Sequence, residues 1–165
     1  MDLQTVKQQF KDANVSDTFG TKKEIKYLPE IMAEDEVIQY ATSGIVEENT
    51  VLVVCTNERV LFIDKGMIYG VKSNEIPLDM VNSVSYSKGM MFGEISVVNG
   101  AITTKIEQVN KDTAPIMTEA IKKAAKKYKE SLRSTPTGSS NDDLLNKVIA
   151  QNDTIISLLQ KIAEN

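Results

Sequence analysis

The sequence predicts an α+β fold that is mainly β. We expect an antiparallel barrel or sandwich of about seven or eight strands, a helix before it, an amphipathic helix that closes it and a separate coiled-coil-like helix after it. Short apolar runs follow one another at regular spacing from 36 to 106, separated by turn residues, which is typical of antiparallel sheets. Apolar residues at helical spacing lie on both sides of that region, and a heptad pattern follows a polar linker.

The N-terminal segment is predicted to form a short amphipathic helix. Its apolar positions recur at three-to-four spacing and are Leu3, Val6, Phe10 and Ala13. Polar residues and a glycine make 17–23 a connection. Pro29 disfavours helix at Leu28, so we expect 25–31 to be a short extended or helical piece that packs against the body.

Strands are expected through the middle of the chain, and one hairpin is especially clear. The expected strands are 37–45, 50–56, 59–64, 67–71, 73–78, 81–87, 92–98 and 101–106. In VLVVCTNERVLFIDKG, a two-residue turn at Asn57-Glu58 would set the register. The expected pairs are Cys55 with Val60, Val54 with Leu61 and Val53 with Phe62. Apolar side chains then occupy both faces of the hairpin, so one face can fill a barrel and the other needs a cover, either the N-terminal helix or a partner chain.

The closing helix is predicted to start at 112–115, where capping residues precede an early proline. Its apolar stripe comprises Ile116, Met117, Ala120, Ile121, Ala124, Tyr128 and Leu132. Its lysines lie off that stripe and are Lys122, Lys123, Lys126, Lys127 and Lys129. A basic amphipathic helix can contact an anionic surface, and a helix packed on a barrel also presents a solvated lysine face. The five lysines are the candidate contact for anionic lipid.

A polar linker at 134–141 separates this helix from a final helix at 142–165. The final helix has an a/d seam over three heptads, formed by Leu145, Val148, Asn152, Ile155, Leu159 and Ile162. A polar Asn at an a position specifies register and oligomer state in coiled coils. The seam has to be buried against copies of itself, against its own domain or on another protein. We expect self-association and therefore a homo-oligomer.

Several of these features occur in the order found in a known family. Leu28-Pro29, Glu36-Val37, the segment CTNERVLFIDKG and the later IPLDMVNSV resemble the bacterial pleckstrin-homology (PH) domains of the YokE-like group, in which a T-N-x-R-hydrophobic hairpin recurs. The resemblance implies a PH-like domain at 25–133, preceded by the N-terminal helix and connection at 1–24. The same fold elsewhere serves as an adaptor for a lipid head group or a peptide.

The composition argues against several activities. The chain has no histidine and one cysteine, so neither a transition-metal site nor Ser-His or Cys-His catalysis is expected. Cys55 lies within an apolar strand and is expected to be a buried small hydrophobe. The acidic groups at 34–36 and 47–48 are expected in solvated turns. We therefore expect no cofactor, no metal and no enzymatic activity.

Charge and hydropathy also restrict the partners and the compartment. The net charge of −4 makes nucleic acid an unlikely partner. The first residues lack the apolar region of a secretory signal, and no run approaches the roughly 18 apolar residues of a membrane span. A single cysteine fits the reducing cytoplasm, which is the expected location.

The turn at 89–93 is a second candidate contact surface, because Met90, Met91 and Phe92 would either meet a partner or fold back onto the barrel. Lipid-binding PH domains generally place basic residues at their first strand–strand loop, whereas 47–49 is acidic here, so a phosphorylated head group is not expected at that loop.

The leading hypothesis is a non-enzymatic PH-like adaptor that binds a protein or peptide and oligomerises through its final helix. The alternative is a peripheral membrane module that binds anionic lipid through the basic helix.

Overall fold

The computed structural model describes residues 1–64, 72–134 and 149, and the described residues form three α-helices and seven strands. The helices are α1 (Leu3–Asp12), α2 (Lys22–Ile31) and α3 (Thr113–Ser134). The strands are β1 (Ile38–Val46), β2 (Asn49–Thr56), β3 (Arg59–Asp64), β4 (Lys72–Pro77), β5 (Val81–Lys88), β6 (Phe92–Asn99) and β7 (Ile102–Asn110), with a 3₁₀ turn at Leu78–Met80. The chain divides into two compact units, Met1–Glu130 and Ser131–Asn165. The strand expected at 67–71 lies outside the described residues.

The strands pair antiparallel in the order β4-β3-β2-β1-β7-β6-β5, which confirms the mainly-β prediction. The two halves of the sheet meet where Ile45 of β1 pairs with Glu107 of β7. Gly44 allows this close approach, because a Cβ atom there would lie 2.5 Å from Ile106 Cγ2 and 3.2 Å from the Glu107 carbonyl oxygen.

The β2–β3 hairpin has the predicted register, with Cys55 opposite Val60, Val54 opposite Leu61 and Val53 opposite Phe62. Both of its faces are buried, as the sequence requires. One face joins the main core, which contains residues from both halves of the sheet and from α3. The other face forms a second core that includes Val6 of α1 and Leu28 of α2, so the two N-terminal helices provide the predicted cover.

The closing helix packs by its predicted stripe, except at Leu132, which is 53% exposed, and at one residue near the start of the helix. Met117, Ile121 and Ala124 are buried in the main core. Ile116 was expected in the stripe but is 48% exposed. It lies one residue before Met117, which places it about 100° around the helix from the buried face.

The segment at 25–31 is helical, which decides between the two conformations that the sequence left open. The helix begins at Lys22, inside the expected connection, and includes Pro29. Leu28 is helical even though it precedes a proline, and its carbonyl accepts from the Met32 N–H at 3.0 Å. Leu28 is also completely buried in the second core, so tertiary packing outweighs its local preference for extended backbone.

Candidate functional site

The T-N-x-R segment ties the β2–β3 turn to the start of β1. The Thr56 hydroxyl donates to Glu36 Oε1 at 2.8 Å and accepts from the N–H groups of Glu58 and Arg59 at 3.1 Å each. Asn57 Oδ1 accepts from the Val37 N–H at 2.6 Å, and the Asn57 N–H donates to the Val37 carbonyl at 2.9 Å. The polar residues of this motif therefore satisfy one another and the adjoining backbone.

Arg59 extends this network to α2 and β4. Its Nε and Nη2 donate to the two carboxylate oxygens of Glu36 at 3.0 and 2.9 Å. Nη2 also donates to the Ile31 carbonyl at the C-terminal end of α2, at 2.8 Å, where the helix dipole favours a cation. Nη1 pairs with Glu75 of β4. One guanidinium thus joins β3, α2, β4 and the segment that precedes β1.

The prediction of a solvated turn at 34–36 is wrong for Glu36, whose side chain is completely buried. Burial alone would raise the pKa of this carboxyl, but the hydrogen bonds from Arg59, Thr56 and the Ala33 N–H outweigh it and hold the pKa below its ordinary value. The ion pair in turn raises the pKa of Arg59. The sequence shows the arginine of the T-N-x-R hairpin, but it does not show that this arginine pairs with Glu36, which lies 23 residues earlier in the chain.

The five lysines predicted to contact an anionic surface do not share one environment. Lys122, Lys123, Lys126 and Lys127 are exposed on α3, whereas Lys129 is partly buried and its Nζ donates to the Val81 carbonyl at the start of β5. Two of the exposed lysines form ion pairs on the helix surface, Lys122 with Glu119 at 3.4 Å and Lys126 with Glu130 at 3.9 Å. The positive charge of this face is therefore partly compensated.

The turn between β5 and β6 presents its apolar residues to solvent. Met90 is 94% exposed, Met91 72% and Phe92 49%. A backbone hydrogen bond from Gly89 to the Phe92 carbonyl, at 2.8 Å, closes the turn. The side chains do not fold back onto the barrel, and contact with a partner remains the prediction for this tip.

A groove between β1 and α3, which we call the β1–α3 groove, was not anticipated from the sequence. It has a volume of about 530 Å³ and is lined by Ala13, Gln39, Tyr40, Pro115, Ile116, Glu119, Ala120 and Lys123. Tyr40 is 3% exposed, and its hydroxyl has no hydrogen-bond partner among the described residues. Buried hydroxyls are usually hydrogen-bonded, so this one is unusual.

Side chains and backbone from the N-terminal segment already hold the β1 backbone beside this groove. The Ile38 N–H donates to Gln9 Oε1 at 2.8 Å, and Gln9 Nε2 donates back to the Glu36 carbonyl at 3.3 Å. The Ser43 N–H donates to the Asp17 carbonyl at 3.1 Å. These bonds lie on either side of Gln39 and Tyr40, so the β1 backbone is already paired at both ends of the groove. The β1–α3 groove is therefore suited to a side chain or a short segment.

The six predicted seam residues between 145 and 162 lie outside the described residues. In the 47–49 turn, Glu47 and Glu48 are exposed with positive φ, so this loop presents carboxylates. Within the described ranges there is no cluster of three or more potential metal ligands, and none of the described helices has the length and hydropathy to span a membrane.

Comparison with known proteins gives a family and two solved structures. The family model for the bacterial PH domain matches residues 32–123. A PH domain from Shewanella amazonensis SB2B is 21% identical over 63% of this chain and 96% of its own, with a TM-score of 0.45. A DUF1696 family protein with a PH domain from Shewanella loihica PV-4 is 17% identical over 66% and 92%, with a TM-score of 0.43. No match was found among curated proteins. Since the family model matches more than half of the sequence, including the T-N-x-R hairpin and the first half of α3, this chain belongs to the bacterial PH domain family.

Proposed function

We propose that this protein is a non-enzymatic interaction module that binds a short segment of another protein in the β1–α3 groove. The observation that carries the proposal is the Tyr40 hydroxyl, which is buried without a partner beside an open groove. An unsatisfied buried hydroxyl destabilises a protein by about 1–3 kcal/mol. Binding that opens the groove enough for a ligand carbonyl to accept from this shielded hydroxyl would recover part of that energy.

The groove chemistry indicates what kind of segment it would accept. Pro115, Ile116 and Ala120 provide apolar surface, and Glu119 and Lys123 of the next turn provide one charge of each sign. A small apolar side chain next to a backbone carbonyl fits this combination. Membership of a family whose fold generally serves for binding supports a non-catalytic role.

The one thiol also supports a non-catalytic role. Cys55 is completely buried, and burial raises its pKa to about 12. At neutral pH it is therefore protonated and inaccessible, whereas a nucleophilic cysteine needs an exposed thiolate.

The groove can be tested with peptides selected from a random library on the full-length protein. We expect Tyr40→Phe to weaken binding about two- to tenfold while leaving the folded protein at least as stable, because the lost hydroxyl had no partner. Ile116→Glu should abolish binding, and Ile102→Glu is the matched control, since Ile102 is exposed on β7 away from the groove. Peptides that bind both groove variants as tightly as the original protein would contradict the proposal.

We further propose that copies of the chain assemble through the seam at 145–162, which would present several grooves together and increase avidity. The heptad spacing and the Asn at an a position support this proposal. Light scattering should give a discrete oligomer for the full chain and a monomer for a chain that ends at Ser134. A monomeric full chain would contradict assembly through the seam.

A second candidate function is contact with an anionic membrane through the exposed lysines of α3. Lys123 and Lys127 favour it, because they have no carboxylate partner within 4.0 Å in the described part of the chain. Sedimentation with phosphatidylserine vesicles should then fall steeply as salt rises, and a variant with both residues changed to Glu should not sediment. Absence of binding at low salt would exclude this function.

A further inference from the structure

A second groove lies between α1 and the first turns of α2, on the N-terminal helices that cover the hairpin. We call it the α1–α2 groove. It has a volume of about 420 Å³. Its apolar lining residues are Leu3, Phe10 and Ile25, and each of them is partly buried. These side chains therefore form a recessed floor rather than a protruding patch.

The charges around this floor are sorted by sign. Residues 1–31 contain five lysines and five carboxylates. Four of the lysines line the α1–α2 groove, and none of the carboxylates does: the lining lysines are Lys7, Lys11, Lys22 and Lys26. None of the four has a carboxylate within 4.0 Å among the described residues. The positive rim is therefore uncompensated, on a chain whose net charge is −4.

The spacing of the four lysines produces this rim. Lys7 and Lys11 are four residues apart on α1, and Lys22 and Lys26 are four residues apart on α2, so each pair lies on one helix face. Like charges at this spacing destabilise an isolated helix by about 0.2–0.5 kcal/mol per pair. Negative charges placed between the two pairs would attract the lysines of both pairs and offset this repulsion.

We propose that the α1–α2 groove docks an amphipathic helix of a partner protein, with an apolar stripe flanked on both sides by carboxylates. The apolar stripe would rest on the floor, and the carboxylates would meet the lysines of both rims. Because α1 has ten residues, it is about 15 Å long, which matches two or three apolar side chains of the partner helix.

The recessed floor favours a helix over a membrane surface. A membrane contact needs apolar side chains that reach beyond the basic residues into the acyl boundary. Here Phe10 and Ile25 lie partly buried while the lysines beside them are exposed. The seam segment of this chain matches less well, because Leu144, Ile149 and Ile156 flank its seam where the proposed partner carries carboxylates.

The test uses the full-length protein and a labelled designed peptide of about four helical turns, with a leucine stripe flanked by glutamates. Two matched peptides replace the glutamates with lysines or the leucines with serines. Fluorescence anisotropy should show binding of the glutamate peptide alone, and the affinity should fall as salt rises. Equal binding of the lysine peptide, or no binding of the glutamate peptide at low salt, would overturn the proposal.

Neighbouring lysines of α2 provide a matched pair of protein variants. Lys22 lines the groove and Lys23 does not, yet both are exposed in the first turn, where Glu is compatible with the helix dipole. Lys22→Glu should weaken binding about two- to fivefold, which is the contribution of one exposed ion pair, and adding Lys26→Glu should bring the loss to about tenfold. Lys23→Glu changes the net charge as much as Lys22→Glu does but should have little effect. An equal loss for these two single variants would show attraction by overall charge and overturn the proposal.

Vesicles separate the proposed helix from a membrane. Sedimentation with phosphatidylserine vesicles that is lost in the Lys22→Glu and Lys26→Glu variant, without any binding of the glutamate peptide, would make this groove a lipid contact and overturn the proposal. If both variants sediment with vesicles to the same extent as the original protein, and the glutamate peptide binds, the result supports the helix.

Discussion

Replacing Arg59 by Met removes the cation that neutralises the buried Glu36 while keeping most of the side-chain volume. The guanidinium donates two hydrogen bonds to Glu36 and one to the Ile31 carbonyl, and it pairs with Glu75. Removing one partner of a buried ion pair typically costs 3–5 kcal/mol. Because the Arg59 side chain is 23% exposed, we expect the lower end, about 3 kcal/mol of unfolding free energy at neutral pH.

The cost should depend on pH in a direction that the structure fixes. In the original protein the pKa of Glu36 is lowered, so the stability from its charged form is complete above about pH 4.5 and is lost as the pH falls through the folded pKa. In the Arg59→Met variant, burial remains and raises the pKa of Glu36, so the variant loses stability as the pH rises above about 4.5. The difference between the two proteins should therefore shrink on acidification.

Urea unfolding followed by circular dichroism at neutral pH and near pH 4 measures this difference. Glu75→Gln is the matched control, because it removes the half-exposed partner of the same arginine and should cost less than about 1 kcal/mol. An Arg59→Met cost below about 1 kcal/mol at neutral pH, or a cost that grows on acidification, would refute the reasoning.

Three further predictions concern the core. Gly44→Ala should lower the unfolding free energy in urea by about 1–3 kcal/mol, because the new Cβ would lie 2.5 Å from Ile106 Cγ2. The Cys55 thiol should react with a thiol reagent such as dithionitrobenzoate only after denaturation, because it is completely buried and its pKa is raised to about 12. Rapid reaction of the native protein would contradict this burial. Leu28→Ala should lower the unfolding free energy by about 2–5 kcal/mol in the same urea assay. Ile102→Ala, on the exposed face of β7, should change it by less than about 0.5 kcal/mol. Equal effects would show that the packing of α2 on the hairpin does not stabilise the fold.

The sequence by itself determined the local elements and the register of the central hairpin. The two-residue turn at Asn57-Glu58 fixes which residues oppose each other, and the alternation of side chains then places apolar groups on both faces. Because the second face of the hairpin is also apolar, the sequence required a cover for it. The three-to-four spacing of apolar residues in the N-terminal segment predicted one helix that could provide this cover. The T-N-x-R hairpin and its neighbours were also sufficient to indicate the family.

The tertiary structure decided which polar groups the long side chains contact. Periodicity shows which side of a helix or strand is apolar, but it does not show which polar group a long side chain reaches. The burial of Glu36 and the bond from Lys129 to Val81 could therefore not be predicted, since their partners are distant in the chain.

The two grooves and the helical state of α2 also depend on contacts between residues that are distant in the chain. The β1–α3 groove combines Ala13, Tyr40 and Ile116, and the α1–α2 groove combines faces of two helices, so neither exists in any single segment. Leu28 is helical despite the following proline, because the free energy of burying its side chain in the second core exceeds a local backbone preference. Local patterns thus determine the elements, and contacts between distant residues determine the grooves and the buried polar network.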